Sequence, residues 1–494
     1  MTGTRRAALA ILLALICCPA RAWHPDRPLD PSWVPEGVSP IVRPMIRTRW
    51  TFNGLLPRMP DEADRGLAWL NARLPFIATR HHMTWIDSDR PVQQDNALRA
   101  AVGCVNLAVG QIMHHHRWPR GPARVGETFE ALVLRQGARG FERMPATLSG
   151  GTGPGGAYAW DVMALMPQIS DVYPLLDDEG RLPVDASGDV VLPPRSPLRA
   201  GRDETARLMA DVGAAMGSVY VSDEDERRIM TAGVVSRVPS VFKDVFGYAG
   251  ASCYAPLYGL APIPAATFHA LVGRSLERGL PVIVDLIGEA GDRGAGHAVI
   301  VDGYGRDAAD PDTLLYHVLV GHGPVEPDIG GDGWYALPDE RVAGQFRGVK
   351  GIVYDISPDE ALPAREIPED ATWPPGVEPH IGGPGDDVHV GRGSWDVYVW
   401  EMGGGDDVIV NDPRGEREGP SGTLWIGEGH DLAAMEISRE GDDIVVTLRG
   451  HGGARAGSVT VRGWYAAPGD ALAMIDLAGG VALTTEDVEA WATP

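Results

Sequence analysis

Between residues 280 and 356 the sequence runs through five short stretches, LPVIVDLIG, HAVIVDGY, LLYHVLV, GWYAL and GIVYDI, each bounded by Gly, Asp or Pro. Apolar or alternating runs of this length, punctuated by turn residues, specify consecutive β-strands. The chain before them has a different period. Residues 104–116 carry Val105, Leu107, Ala108, Ile112 and Met113 at three- and four-residue spacing, which predicts a helix. Further helical patterns occupy 61–75, 203–216, 226–247 and 266–278, whereas 119–157 is rich in Gly, Arg and Pro and is expected to be mostly loop. A helical half followed by a strand meander is an α+β arrangement.

The flanks divide the chain further. Arg5 and Arg6 precede an apolar run from Ala7 to Cys18, and Ala20-Arg21-Ala22 closes it. This has the layout of a cleaved signal peptide over residues 1–22; a retained N-terminal tether is the other reading. No other apolar run approaches about 18 residues, so no integral membrane span is expected. Residues 23–43 form a Pro-rich N-terminal segment, and the α+β unit takes 44–357. A Pro-rich, acidic linker follows at 358–380. Beyond it, 381–494 holds twenty acidic residues against seven Arg, and alternating runs such as DDIVVTL mark a separate all-β module. A formal net charge of -24 over 494 residues argues against a nucleic-acid partner.

Loss of residues 1–22 removes Cys17 and Cys18, leaving Cys104 and Cys253 of four cysteines. Two thiols make no disulfide framework, and an exported protein that keeps a lone thiol keeps it for a reason. Cys104 starts the strongest helix, where the positive end of the macrodipole favours a thiolate. Among fourteen histidines His297 is the best placed partner, between a Gly-rich turn and an alternating strand. Residue types alone leave two readings open: a thiol–imidazole pair, or an inert packed Cys with an incidental strand His.

The motifs narrow this. GCVNLAVGQIMHHHRWP (103–119), AYAWDVM (157–163), LMADVG (208–213), VFGY (245–248), GHAVIVDGY (296–304), LLYHVLVGHG (314–323) and GDGWYAL (331–337) occur in the order of corresponding motifs in the streptopain family of papain-fold cysteine peptidases. The chain resembles that family over about 300 residues. The resemblance implies a papain-like helical half joined to an antiparallel β-barrel half, with Cys104 as nucleophile and His297 as its partner. It implies hydrolysis of protein or peptide substrates by a secreted or periplasmic enzyme, with no cofactor for catalysis. The thiolate would attack a peptide carbonyl, His297 would protonate the leaving amine, and the Cys104 backbone N–H would supply one oxyanion donor.

The resemblance has gaps. The family places a Gln for the oxyanion upstream of the cysteine; here Phe52 stands in one match and Asp87 in the other, with Gln93 and Gln94 as substitutes. Leu319, Val320 and His322 replace an Asn and two Trp that surround the family's imidazole. The same chain therefore also reads as a catalytically impaired papain-like binding or adhesion protein, and thiol–imidazole chemistry also serves amine transfer. Adjacent histidines at 114–116 point in different directions on a helix, so a packing role is expected of them rather than a metal. Cys253, in GASCYAPL, is expected in a strand as an inert thiol. GGPGDDVHV (382–390) and GGGDDVIVND (403–412) resemble haemolysin-type, repeat-in-toxin repeats, which implies calcium in the C-terminal module; a β-sandwich with acidic turns and no specific ion is the alternative.

Overall fold

The computed structural model describes residues 34–48, 50, 102–134, 138–163, 197–223, 228–288, 296–321 and most of 332–494. The pattern at 104–116 forms helix α1 (Cys104–His116), buried from Val105 to His114. A helix covered on nearly every side belongs at the centre of a domain rather than on its surface. Helix α2 (Pro197–Met216) crosses it at Gly110, where any side chain would run into Met209. The helix expected at 61–75 lies outside the described residues.

Strand β1 (Val38–Val42) precedes α1. Two stretches depart from the expected pattern. The presumed loop at 119–157 contains β2 (Thr128–Leu134) and β3 (Glu142–Thr147). The helix expected over 226–247 starts late: its first part is a strand, and a helical run of changing pitch covers 235–245. With β4 (Val219–Asp223), the strand β5 (Arg228–Ala232) completes a four-stranded sheet of order β3-β2-β4-β5. Antiparallel pairing of Val219–Asp223 with Arg228–Ala232 takes the first part into the sheet, and Gly233 separates it from the helical run, where Pro239 occupies a first-turn position that needs no N–H donor.

The meander forms as expected: β6 (Gly250–Tyr254), helix α3 (Ala265–Glu277), β7 (Val282–Leu286), β8 (His297–Asp307), β9 (Leu314–Leu319), β10 (Gly333–Tyr335) and β11 (Val349–Ser357). Its order is β10-β9-β8-β7-β11-β6, and β1 takes the edge of β8 beyond the stretch paired with β7. The expected barrel is not closed. Among the described residues the sheet ends at β10 and β6, and these strands do not pair. One face packs α1 through Ile283, Ala298, Ile300 and Val353; the other packs α3 through Val282, Val284 and Val299. A sheet covered on both faces accounts for the near-continuous apolar character of β7 and β8. Buried Asp302 ties the N-terminal segment to β8, accepting from the Met45 and Ile46 N–H groups at 2.9 and 2.7 Å, with His317 Nδ1 at 2.6 Å.

Residues 377–494 are built mainly of strands. In chain order, β12 (Val377–Ile381), β13 (Val388–Val390), β14 (Trp395–Trp400), β15 (Gly405–Val410) and β16 (Thr423–Ile426) alternate between two sheets. β17 (Glu436–Glu440), β18 (Asp443–Arg449), β19 (Arg455–Val461), β20 (Met474–Leu477) and β21 (Val481–Thr484) complete them, and helix α4 (Thr485–Trp491) follows. Strands β12, β14, β16 and β20 pair in parallel, as do β13, β15 and β19. The chain therefore coils, and the antiparallel strands β21 and β17–β18 finish its later end. Tyr398, Leu424 and Ile475 point into the shared core with Ile409, Val446 and Val459.

Among the described residues no group of three or more His, Cys, Asp or Glu side chains could hold a metal ion. The carboxylates of the two Gly-Asp runs are engaged with the backbone: Asp387 accepts the Gly383 N–H, Asp407 the Asp387 N–H and Asp386 the Asp406 N–H.

Candidate active site

Gly103 fixes where Cys104 begins its helix. It has φ +80, and a side chain there would meet the Thr231 carbonyl of β5 at 2.6 Å, so both conformation and space call for glycine. No side chain caps this end of α1, which leaves its first N–H groups to face whatever lies at the thiol. One turn in, Asn106 donates to the Val102 carbonyl and to Ser218 Oγ, both at 3.0 Å, and locks the helix start to the small sheet.

His297 begins β8, opposite Leu286 of β7. It is buried, its Nε2 lies 2.8 Å from the Val320 carbonyl, and its ring stacks on Phe346 at 4.8 Å. A carbonyl can only accept, so Nε2 carries the proton and Nδ1 is the ring nitrogen that can take one up. The thiol and this strand meet through the main chain, because the Cys104 sulfur accepts the Ala298 N–H, one residue beyond His297.

The electrostatics run against the expectation of a lowered thiol. Burial pushes the Cys104 thiol above its ordinary value and the nearby Asp285 carboxylate adds to this, while the N–H groups of Ala298, Val105 and Cys104 itself pull the other way. Loss of hydration outweighs the helix terminus, so an imidazolium is what this thiol needs to ionise. Asp285 is paired with Lys350 at 3.8 Å, and both stand against Gly296: a side chain there would meet Lys350 Nζ at 2.8 Å and Asp285 Oδ1 at 3.0 Å. Cys253 sits in β6, as expected, with its thiol pushed up to about 12 by burial and by the charges of Asp285 and Glu428. Both Cys104 and Cys253 are free thiols.

The three histidines diverge. His114 packs edge-on against Trp50 and Trp160, His115 faces the backbone of Met45 and the charge of Asp302, and His116 Nδ1 lies 3.3 Å from the Tyr248 hydroxyl. Burial lowers His114 to about 4 and His116 to about 3. In the unfolded chain a histidine titrates near 6.5, so below that pH the unfolded state binds more protons and stability falls as pH drops toward those values. Between pH 6.5 and 5, His114 alone accounts for about 2 kcal/mol. Asp211 and Asp285, raised by burial, act in the opposite direction. The difference in urea midpoint between pH 7 and pH 5 should therefore shrink in His114→Gln relative to wild type; equal differences would exclude a buried neutral His114.

Phe52, Asp87, Gln93, Gln94 and His322 lie outside the described residues. Two groups around His297 were missed by sequence reasoning. The Val320 contact is made by a carbonyl that every residue has, so no residue type announces it. Phe346 stands in a loop between strands, and nothing in its spacing marks it.

Residues 87–325, which include Cys104 and His297, match the sequence model of the Peptidase C10 family, whose members are cysteine-type peptidases. No curated protein matches the chain. Among solved structures, a prointerpain A fragment from Prevotella intermedia is similar at 16% sequence identity, with a TM-score of 0.34 over 70% of this chain and 79% of that one. Among the described residues no helix is long and apolar enough to cross a membrane.

Proposed function

We propose that residues 44–357 are a cysteine endopeptidase unit, exported by a signal peptide at 1–22 and joined through 358–380 to an accessory β-module. Protein or peptide substrates are cut by the Cys104 thiolate, with His297 as its acid–base partner. The observation that carries this reading is the thiol of Cys104 at the uncapped start of α1, bonded to the N–H that follows His297. In the proposed cycle His297 takes the thiol proton on Nδ1, with its ring held by Phe346 and the Val320 carbonyl. The thiolate adds to the substrate carbonyl while the Cys104 N–H faces the oxyanion. The imidazolium then gives its proton to the leaving amine, and water, deprotonated by His297, releases the acyl group from sulfur.

The raised thiol favours one other reading, a papain-like binding or adhesion protein in which Cys104 is silent. Casein hydrolysis lost in Cys104→Ala, together with faster alkylation by iodoacetamide at Cys104 than at Cys253, is the result expected of a peptidase. Equal alkylation of the two thiols and no hydrolysis would leave the binding reading in its place.

A further inference from the structure

The four-stranded sheet β3-β2-β4-β5 is apolar on both faces. Ala131, Val133, Ala146 and Tyr220 point into the core around α1. Their neighbours Leu132, Leu134 and Val219 alternate to the other side, where with Phe141 and Ala232 they join the core of residues 377–494. A strand covered on both faces accounts for the unbroken apolar run at 131–134. The covering contacts are specific. Phe141 meets Trp491 of α4 edge-on with ring centroids 5.5 Å apart, and Arg143 of β3 pairs with the buried carboxylate of Asp431. Elsewhere on the boundary Tyr258 packs on Trp425 at 4.9 Å, and Ser236 donates to Glu428.

The connecting segment, expected to be a semi-rigid linker, is fastened as well. Arg365 reaches under α3: its Nε donates to Asp355 Oδ2 at 2.8 Å, its Nη1 to the Ala270 and Leu271 carbonyls at 3.2 and 3.0 Å, and its Nη2 to Ser275 Oγ at 3.2 Å. The small sheet, in turn, holds the start of α1. The Thr231 carbonyl stands against Gly103, and the next residue, Ala232, faces the C-terminal core. Ser218 accepts from Asn106, and the next residue, Val219, faces the same core. Consecutive residues thus touch α1 on one side and residues 377–494 on the other.

We propose that residues 377–494 are an integral half of the peptidase unit rather than a detachable accessory. Their receptor is the outer face of β3-β2-β4-β5, an apolar surface with Arg143 beside it, which fits the aromatic ring of Trp491 and the carboxylate of Asp431. Held there without need of a covalent connection, they keep the start of α1, and so Cys104, in place. The catalytic consequence rests on the peptidase reading above; the docking does not.

The test uses the full chain with a recognition sequence for a site-specific protease inserted after the exposed Pro375, so that the connection is cut after folding. The two pieces should co-elute in gel filtration, and casein hydrolysis should match that of the uncut chain. Arg143→Glu sets two like charges against each other and should weaken the association of the cut pieces about tenfold or more; adding Asp431→Arg should restore it. Phe141→Ala, which removes the contact with Trp491, should weaken it too. Where the pieces separate, amide exchange over 104–110 should quicken about tenfold, and hydrolysis should fall with it. Wild-type pieces that separate on cutting would overturn the proposal. So would cut variants that stay paired as tightly as wild type, or a separated pair whose exchange over 104–110 is unchanged. If Phe141→Ala loses its cooperative melt before cutting, the charge-reversal arm decides alone. Co-elution and exchange that respond as expected, with no hydrolysis in any form, would keep the docking and remove the peptidase reading.

Discussion

His297→Ala should lower the rate of peptide-bond hydrolysis by about 10²–10⁴, the usual worth of a positioned acid–base group. The loss has two separable parts. In the proposed reaction the imidazole moves the proton; in the structure it donates to the Val320 carbonyl and stacks on Phe346. Removing it leaves a buried carbonyl without its donor, at about 1–3 kcal/mol of stability. His297→Gln separates the two: its amide can still donate to Val320 but cannot shuttle a proton at neutral pH. The melting temperature should recover in the Gln variant while the rate stays low. A Gln variant that keeps more than a tenth of the wild-type rate would remove His297 from the reaction.

Asp211→Ala should cost about 3–5 kcal/mol, near the upper end for a single buried substitution. Asp211, on α2, is fully buried and accepts the Ser149 and Gly150 N–H groups at 2.7 and 2.8 Å and the Tyr158 hydroxyl at 2.7 Å. Glu204, two turns earlier, accepts the N–H groups of Thr152 at 3.1 Å and Ala159 at 2.6 Å. Together these carboxylates hold a Gly-rich loop that has almost no apolar side chains to fasten it. Without Asp211, three donors are buried with nothing to accept them. Asp211→Asn should recover only part of the loss, because its amide N–H₂ faces donors. Denaturant titration reads both variants, and a cost below about 1 kcal/mol would show that the loop is held by other contacts.

Much of this architecture was legible because periodicity and burial agree. Helix α1 is apolar around most of its circumference, and β7, β8 and β11 are apolar runs between turn residues. The strands at 128–134 and 142–147 were not legible, since TFEALVL lies among Gly, Arg and Pro and its partners are distant in sequence. For 226–247, local preference allowed a helix throughout; pairing with 219–223 took 228–232 into a sheet, and only 235–245 is helical. Neither composition nor spacing could set strand order, so an open sheet with β1 on its edge was beyond reach. Cys104 and His297 were singled out by motif and by their places at the starts of a helix and a strand. The partners around His297 escaped, because a main-chain carbonyl and a loop aromatic leave no pattern to read.

The route from β11 to β20 has a consequence during synthesis. The sheet that carries His297 ends at Ser357 and the last parallel strand of the C-terminal sheets begins at Met474, more than a hundred residues later. At roughly 5–20 residues per second, several seconds or more separate their emergence from the ribosome. The thiol and the strand that carries His297 are therefore built well before the last strands of the C-terminal sheets exist.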